Sequence, residues 1–120
     1  MIKMKINNLT KRSIVCCNAK LCLSAFSKSV GLMLSKEQDI ALIFKFHKEK
    51  VISLHMLFVF YPIDVLFIDK DKIVVDKKEN FRPFTFYKSR KRSMYAVELP
   101  SGAIKKSKTS IGDKIEFYTT

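Results

Sequence analysis

The sequence predicts an α+β fold that is mostly β, in which about eight short strands form a small barrel-like or half-closed sheet with one amphipathic helix. Residues 51–69, VISLHMLFVFYPIDVLFID, are rich in the β-branched and aromatic side chains that strands prefer. Only residues 20–34 carry apolar side chains at helical spacing. The 120 residues have an apolar content of 48%. They are therefore long enough for a single domain, residues 1–120, with its own core.

Alternating apolar residues and turn-forming residues indicate where most strands lie. The segment MIKMKI predicts a first strand at 1–6, which the turn NNLTK ends. Two more strands are predicted at 12–19 and 39–46, followed by HKEK as a polar turn. Later strands are predicted at 73–76, at 94–99 and after the Gly112-Asp113 turn, with residues 103–110 as a turn or short helix.

The apolar stretch 51–69 contains a proline and an aspartate, which argue against a membrane-spanning helix. Pro62 has no N–H to donate to a ladder, so we expect it at a break, a bulge or an edge. The stretch is therefore predicted to form two strands, at about 52–60 and 63–68, the second in a hairpin with 73–76. Both faces are apolar, so at least one of these strands is expected to be buried on both sides.

Residues 20–34, KLCLSAFSKSVGLML, are predicted to form the amphipathic helix, ending near Gly31. Cys22, Phe26, Val30 and Met33 recur on one face. Cys16 and Cys17 are adjacent, so on a strand they face opposite sides and cannot chelate one ion together. We expect the three cysteines to be reduced thiols that act as small buried apolar residues. No signal-peptide pattern is visible, which predicts a cytoplasmic chain.

The charge balance is strongly basic, with 23 Lys and Arg against 11 Asp and Glu, a net charge of +12. Such a charge favours an anionic partner: nucleic acid, an acidic protein or anionic lipid. Lysine far outnumbers arginine, and dedicated readers of phosphate and bases rely on arginine forks. A compositional habit without functional meaning is therefore the alternative.

The basic-aromatic segment 81–95 is the strongest candidate surface. Phe81, Phe84, Phe86, Tyr87 and Tyr95 interleave with the cations Arg82, Lys88, Arg90, Lys91 and Arg92. Cations on phosphates and aromatic rings on bases are the means by which proteins bind single-stranded nucleic acid. The alternative is an ordinary solvated loop whose aromatic side chains fill the core. Lys105–Lys108 would extend the surface if the fold brought them near.

Asp64 is the candidate for a ligand-binding role, with His55 and Glu98 as partners. A carboxylate within an apolar strand is partly buried and must be paired or hydrogen-bonded. It is expected to act either as an acid, base or ligand anchor, or as a structural acid that caps the backbone at the Pro62 break. His47 and His55 would approach each other if 40–46 and 53–60 formed a hairpin, but two ligands do not make a metal site. No metal and no cofactor are expected.

Four segments of residues 24–117 resemble the domain of unknown function 192 family, whose members are small uncharacterised proteins. The matching segments are SKSVGLM (27–33), ALIFKF (41–46), HMLFVFYPIDVLFID (55–69) and AVELPSGAIKKSKTSIGDKIEF (96–117). The resemblance implies a compact β-rich fold and no established activity. It carries over the motif positions Met56, Pro62, Asp64, Glu98, Gly102, Gly112 and Asp113. His55 stands where the family motif has Trp, and Leu57-Phe58-Val59 replace its Lys-Asn-Thr.

The sequence contains neither the nucleophile motifs G-x-S-x-G and S-x-x-K nor the nucleotide-binding motifs G-x-G-x-x-G and P-loop. We therefore expect a small non-catalytic binding module, for an anionic partner such as nucleic acid, which acts through the basic-aromatic segment. The alternatives are a small-molecule pocket or cryptic hydrolase centred on Asp64, and a scaffold for protein interactions. The oligomeric state is left open.

Overall fold

The computed structural model describes residues 3–22, 40–55, 61–82 and 85–119. These residues are mostly strand. In chain order the elements are β1 (Lys3–Asn8), β2 (Ser13–Cys22), β3 (Ala41–Lys50), β4 (Ser53–His55), β5 (Ile63–Ile68), β6 (Val74–Phe81), β7 (Phe86–Lys88), β8 (Ser93–Pro100), α1 (Ala103–Ser107) and β9 (Ile115–Thr119). The predicted fold class, mostly β with little helix, is confirmed.

Seven of these strands form one sheet in the order β6-β5-β8-β3-β2-β1-β9, and β4 and β7 form a separate pair. Most neighbours are antiparallel, whereas β2 and β3 run parallel from Ala19 and Ala41. The two ends of the sheet meet at one corner, where Ile73 bridges to Lys114 and the Val74 amide donates to the Asp113 carbonyl at 2.9 Å. The contact is confined to that corner, so the sheet is half-closed and not a continuous barrel.

β5 lies between β6 and β8 in the sheet, and all six of its residues are buried. Alternate residues belong to two apolar clusters on opposite faces of the sheet, with Leu66 and Ile68 in one and Val65 and Phe67 in the other. The expectation of a strand buried on both sides is therefore confirmed. Pro62 directly precedes β5, outside the ladder where its missing N–H costs nothing. The predicted hairpin of β5 with β6 is also confirmed.

Several predicted boundaries are wrong, because long-range strand pairing outweighs local propensity. Residues 47–50 were expected to form a turn, but β3 continues to Lys50, which pairs with Ser93 on β8. β6 extends to Phe81, and β7 lies in a segment that was expected to be irregular. Residues 20–22 of the predicted helix belong to β2, where Ala19–Cys22 pair with β3. The remainder of that helix lies outside the described residues.

A short helix, α1, follows β8 where the sequence predicted a turn or short helix. Its N-cap residue Gly102 has φ 91°, a left-handed conformation that glycine adopts at little cost. The predicted Gly-Asp turn before β9 is also present: Gly112 has φ 98°, and the Asp113 amide donates to the Ser110 carbonyl at 3.1 Å.

The side chain of Asp113 joins this last turn to the β1–β2 turn. Its Oδ2 accepts hydrogen bonds from Asn8 Nδ2 at 2.9 Å and from Lys11 Nζ at 2.7 Å. The Ser110 amide donates to the same oxygen at 2.9 Å. Burial opposes ionisation of the Asp113 carboxyl, but these donors outweigh it and hold the pKa of Asp113 below its usual value.

Two of the three cysteines have described side chains, and neither of these two forms a disulfide. Cys16 is half-buried and packs against a core cluster, close to the buried apolar role that we expected. Cys17 is exposed, and the expectation of burial is wrong for this residue. The two side chains differ because β2 alternates between a core-facing and a solvent-facing side at this point.

Candidate functional site

An antiparallel ribbon connects the end of β3 to the basic-aromatic segment. Lys50 pairs with Ser93, and Ser53, Leu54 and His55 on β4 pair with Lys88, Tyr87 and Phe86 on β7. Between these pairs the Ser89 amide donates to the Ile52 carbonyl at 2.8 Å, and the Ile52 amide donates to Ser89 Oγ at 2.9 Å. Residues 50–55 and 86–93 therefore lie side by side, and we call this structure the basic ribbon.

The predicted cations Arg82, Lys88, Arg90, Lys91 and Arg92 are all exposed. Lys50 of the ribbon and the nearby Lys48 are also exposed, at the end of β3. These two lysines were not among the predicted cations, because HKEK was predicted to form a polar turn. Lys105–Lys108 follow the opposite end of β8, where Pro100 lies about 23 Å from Ser93 at the usual rise per residue. These lysines are therefore not assigned to the same surface.

The aromatic residues of the segment divide between core and surface. Phe81 and Tyr95 are 1% and 8% exposed, so they fill the core as the alternative reading expected. Tyr87 is half-buried, with its ring centroid 5.6 Å from that of Phe67. Phe86 is 66% exposed. Phe84 lies outside the described residues.

The cation Arg90 is bound to a buried carboxylate, Asp76 on β6. Its Nη2 lies 2.6 Å and its Nε 3.1 Å from Asp76 Oδ1, and its backbone amide donates to Oδ2 at 2.9 Å. Tyr87 donates its hydroxyl to the same Oδ2 at 2.7 Å. These contacts hold β7 and the following turn against β6.

The contacts among Asp76, Tyr87 and Arg90 form a cluster, in which the pKa of Asp76 is lowered and the pKa of Tyr87 is raised. Burial opposes ionisation of Asp76, but the hydrogen bonds from Arg90, Tyr87 and the Lys77 amide outweigh it and lower the pKa of the carboxyl. Burial raises the pKa of Tyr87, and its hydrogen bond to the negative Asp76 raises it further. At neutral pH the cluster therefore holds a carboxylate and a neutral phenol.

Asp64 is 1% exposed, and both of its oxygens accept backbone hydrogen bonds. Oδ1 accepts from the Asn80 amide at 2.9 Å, and Oδ2 accepts from the amides of Gly102 and Ile104 at 3.0 Å each. Asp64 thus joins β6 to the start of α1 across β5. As a structural acid, Asp64 was expected to cap the backbone at the Pro62 break. Its hydrogen bonds instead go to Asn80 and to the start of α1.

Glu98 and Asp64 lie on neighbouring strands but on opposite faces of the sheet. Asp64 pairs with Leu99, whereas Glu98 pairs with Val65. Leu99 and Val65 belong to the two different core clusters. Glu98 is 3% exposed, and its charge adds to burial in raising the pKa of Tyr61. The fold therefore does not bring the two carboxylates together.

The expected partner His55 lies on β4, opposite Phe86, in the basic ribbon. Its side chain is outside the description. The hairpin that would have joined it to His47 does not form in the described residues, because β3 pairs with β2 and β8 and β4 pairs with β7. Within residues 3–22, 40–55, 61–82 and 85–119, no three potential metal ligands lie together. No helix in those ranges is long and apolar enough to cross a membrane.

Comparison with known proteins gives one family and a shared fold. The DUF192 family profile, described as "Uncharacterized ACR", matches residues 6–117. A UPF0127 protein of Thermococcus sibiricus is 35% identical over 112 residues, which cover 92% of this chain and 72% of that protein. A UPF0127 protein of Pyrococcus furiosus is 32% identical over 112 residues, covering 92% and 95% of the two chains.

Two crystal structures have closely similar folds. A Sinorhizobium meliloti protein described as a candidate transcription regulator has a TM-score of 0.82 at 24% identity, covering 97% of this chain and 92% of its own. A protein of unknown function from Novosphingobium aromaticivorans has a TM-score of 0.80 at 19% identity, covering 95% and 83%. At these identities the likeness concerns the fold.

Proposed function

The chain belongs to the DUF192 family of uncharacterised proteins. We propose that it is a non-catalytic binding module whose basic ribbon binds single-stranded nucleic acid. The partner is an extended polyanion, and affinity comes from cations on phosphates and from at least one ring that stacks on a base. The other expected partners, an acidic protein and anionic lipid, offer negative charge but no base to stack, so the exposed ring favours nucleic acid.

The proposal rests on Phe86 of β7, a large apolar residue that is 66% exposed. Residues two apart on a strand project to the same side, so Phe86 and Lys88 share one side of β7. Tyr87 projects to the other side, where it packs near Phe67 and bonds Asp76. Tyr87 thus anchors the strand, and the side chains of Phe86 and Lys88 on its other side are exposed.

The cations beside this ring are available to an anion. In the part of the chain that the structure describes, Lys88, Lys91 and Arg92 have no acidic side chain within ion-pair distance. The same holds for Lys48 and Lys50. Arg90 differs, because Asp76 already holds its guanidinium. We therefore assign phosphate binding to the flanking cations and a structural part to Arg90.

The description of the Sinorhizobium protein as a candidate transcription regulator belongs to that protein, at an identity that carries the fold alone. For this chain it is a reason to test duplex DNA beside single strands. Stacking on Phe86 requires an unpaired base, so the proposal favours the single strand.

The test is fluorescence anisotropy of labelled single-stranded and duplex oligonucleotides at two salt concentrations. We compare Lys91→Ala/Arg92→Ala on the ribbon with Lys105→Ala/Lys106→Ala on α1, two adjacent pairs that remove the same charge. The ribbon variant is expected to weaken binding to single strands by tenfold or more and to reduce the salt slope by about 1.4, for two phosphate contacts. Equal weakening by both variants would mean that only net charge acts, and it would refute the proposal.

A further inference from the structure

A groove of about 700 Å³ lies outside the basic ribbon, between residues 13–17 of β2 and residues 100–103. Lys106 of α1 also lines it. This is within the range of small-molecule sites, which commonly measure about 300–1,000 Å³. The basic ribbon contributes no residue to it, so a ligand here would be separate from the proposed nucleic-acid partner.

Both walls of the groove are held by hydrogen bonds that do not require a ligand. Asp64 fixes one wall by accepting the amides of Gly102 and Ile104. Ser13 Oγ fixes the other by donating to the Ser107 carbonyl at 2.6 Å, which ties the start of β2 to α1. Gly102 has no Cβ, and a Cβ built there would meet nothing within 4 Å, so the space beside it is open. The groove is therefore formed before any ligand arrives.

The lining is apolar with a single charge. Ile14, Val15, Pro100 and Ala103 supply aliphatic surface, and Ile14 is 59% exposed although it is a large apolar residue. Lys106 is the one charged side chain of the lining, which contains no acidic residue. Among the described residues its ammonium has no ion pair or hydrogen bond. The Ser101 hydroxyl, which also lines the groove, is likewise without a hydrogen bond within the described ranges.

We propose that this groove binds a small organic acid with one negative charge, such as an aliphatic carboxylate. The carboxylate contacts Lys106 Nζ and the Ser101 hydroxyl, and the apolar body lies along Ile14 and Pro100. One ammonium matches the single charge of a carboxylate, and the aliphatic lining fits an apolar body better than further charge. Asp64 is a positioning residue in this arrangement, because it holds the Gly102 wall and its own oxygens are occupied by backbone amides.

The test is an NMR titration of the ¹⁵N-labelled full chain with octanoate and, as a neutral probe of the same length, 1-octanol. Octanoate is expected to shift the amides of residues 13–17 and 101–106 in a saturable way, and to bind more tightly than octanol. Lys106→Gln should weaken octanoate roughly fivefold, the factor expected for one solvated charge pair, and leave octanol unchanged. Lys105→Gln is the matched control, because Lys105 is exposed on α1 but does not line the groove, and it should leave both affinities within about twofold.

Three results would overturn the proposal: octanoate shifts that do not saturate, shifts centred on Phe86 and the ribbon, or equal effects of Lys105→Gln and Lys106→Gln. Saturable binding of an acidic hexapeptide in place of octanoate would assign the groove to a peptide and also reject the organic acid. None of these results depends on nucleic-acid binding, so this proposal and the proposed function fail separately.

Discussion

Arg90 Nη2 lies 2.6 Å from Oδ1 of Asp76, a carboxylate that is completely buried although the arginine side chain is 67% exposed. Arg90, an exposed cation of the basic-aromatic segment, is thus paired with the buried carboxylate of Asp76. This pair, with the Tyr87 hydroxyl, holds β7 and its turn against β6. The shape of the proposed nucleic-acid surface therefore depends on a residue that the surface does not expose.

Replacing Asp76 is expected to destabilise the protein. Asp76→Asn removes the charge that three side-chain donors share, and we expect a loss of about 2–3 kcal/mol in the free energy of unfolding. Urea denaturation measures it. Glu79→Gln is the control, because Glu79 is exposed and lies 3.5 Å from Lys77, so its loss should stay below about 0.5 kcal/mol. Similar losses in the two variants would contradict the structural part given to Asp76.

Asp113 makes stability depend on pH at the acid end. Its pKa is lowered in the folded state, so its contribution is complete above the unfolded value of about 3.9. The contribution is lost as the pH falls through the folded pKa. Thermal unfolding between pH 2 and 6 should show a shallower acid decline for Asp113→Asn than for the wild type. Asp71→Asn, at an exposed turn, should follow the wild-type slope, and parallel curves for all three would reject this link.

Asp64 is expected to be a structural residue. Asp64→Ala leaves three backbone amides without their acceptor, which should cost about 3 kcal/mol or more. Hydrogen exchange should accelerate at Asn80, Gly102 and Ile104 before it does elsewhere. Asp64→Asn keeps an acceptor oxygen and should lose less. An Asp64→Ala variant of wild-type stability with a lost ligand response would instead favour the ligand-contact reading.

Phe86 and Tyr87 are neighbours that should give opposite results. Phe86→Ala removes an exposed ring, so stability should change by less than about 0.5 kcal/mol, while binding of single strands weakens by about 1–3 kcal/mol. Tyr87→Phe removes the hydroxyl that bonds Asp76 and should lose about 1 kcal/mol of stability. Its effect on affinity, measured by anisotropy, should be smaller than that of Phe86→Ala. Unchanged affinity in Phe86→Ala would remove the stacking argument.

The local pattern predicted the strands that are buried on both faces. Residues 63–68 matched β5 residue for residue, because six apolar-rich positions after a proline leave few other conformations. The local pattern wrongly predicted a turn at 47–50, where the charged HKEK sequence forms the end of β3. Lys50 pairs with Ser93 of β8 after an irregularity in the register beyond Lys45. His47, Lys48 and Lys50 are exposed along this end of the strand, so polarity alone did not indicate a turn.

By itself the sequence determined the fold class, the family resemblance and the two positions that stand out, Asp64 and the segment 81–95. Only the tertiary structure decided their partners. Asp64 bonds amides 16, 38 and 40 positions away, and Arg90 bonds a carboxylate 14 positions away. Strand formation follows from neighbours in sequence, whereas the hydrogen-bond partner of a buried charge depends on which distant segments the sheet brings together. Composition cannot reveal that arrangement.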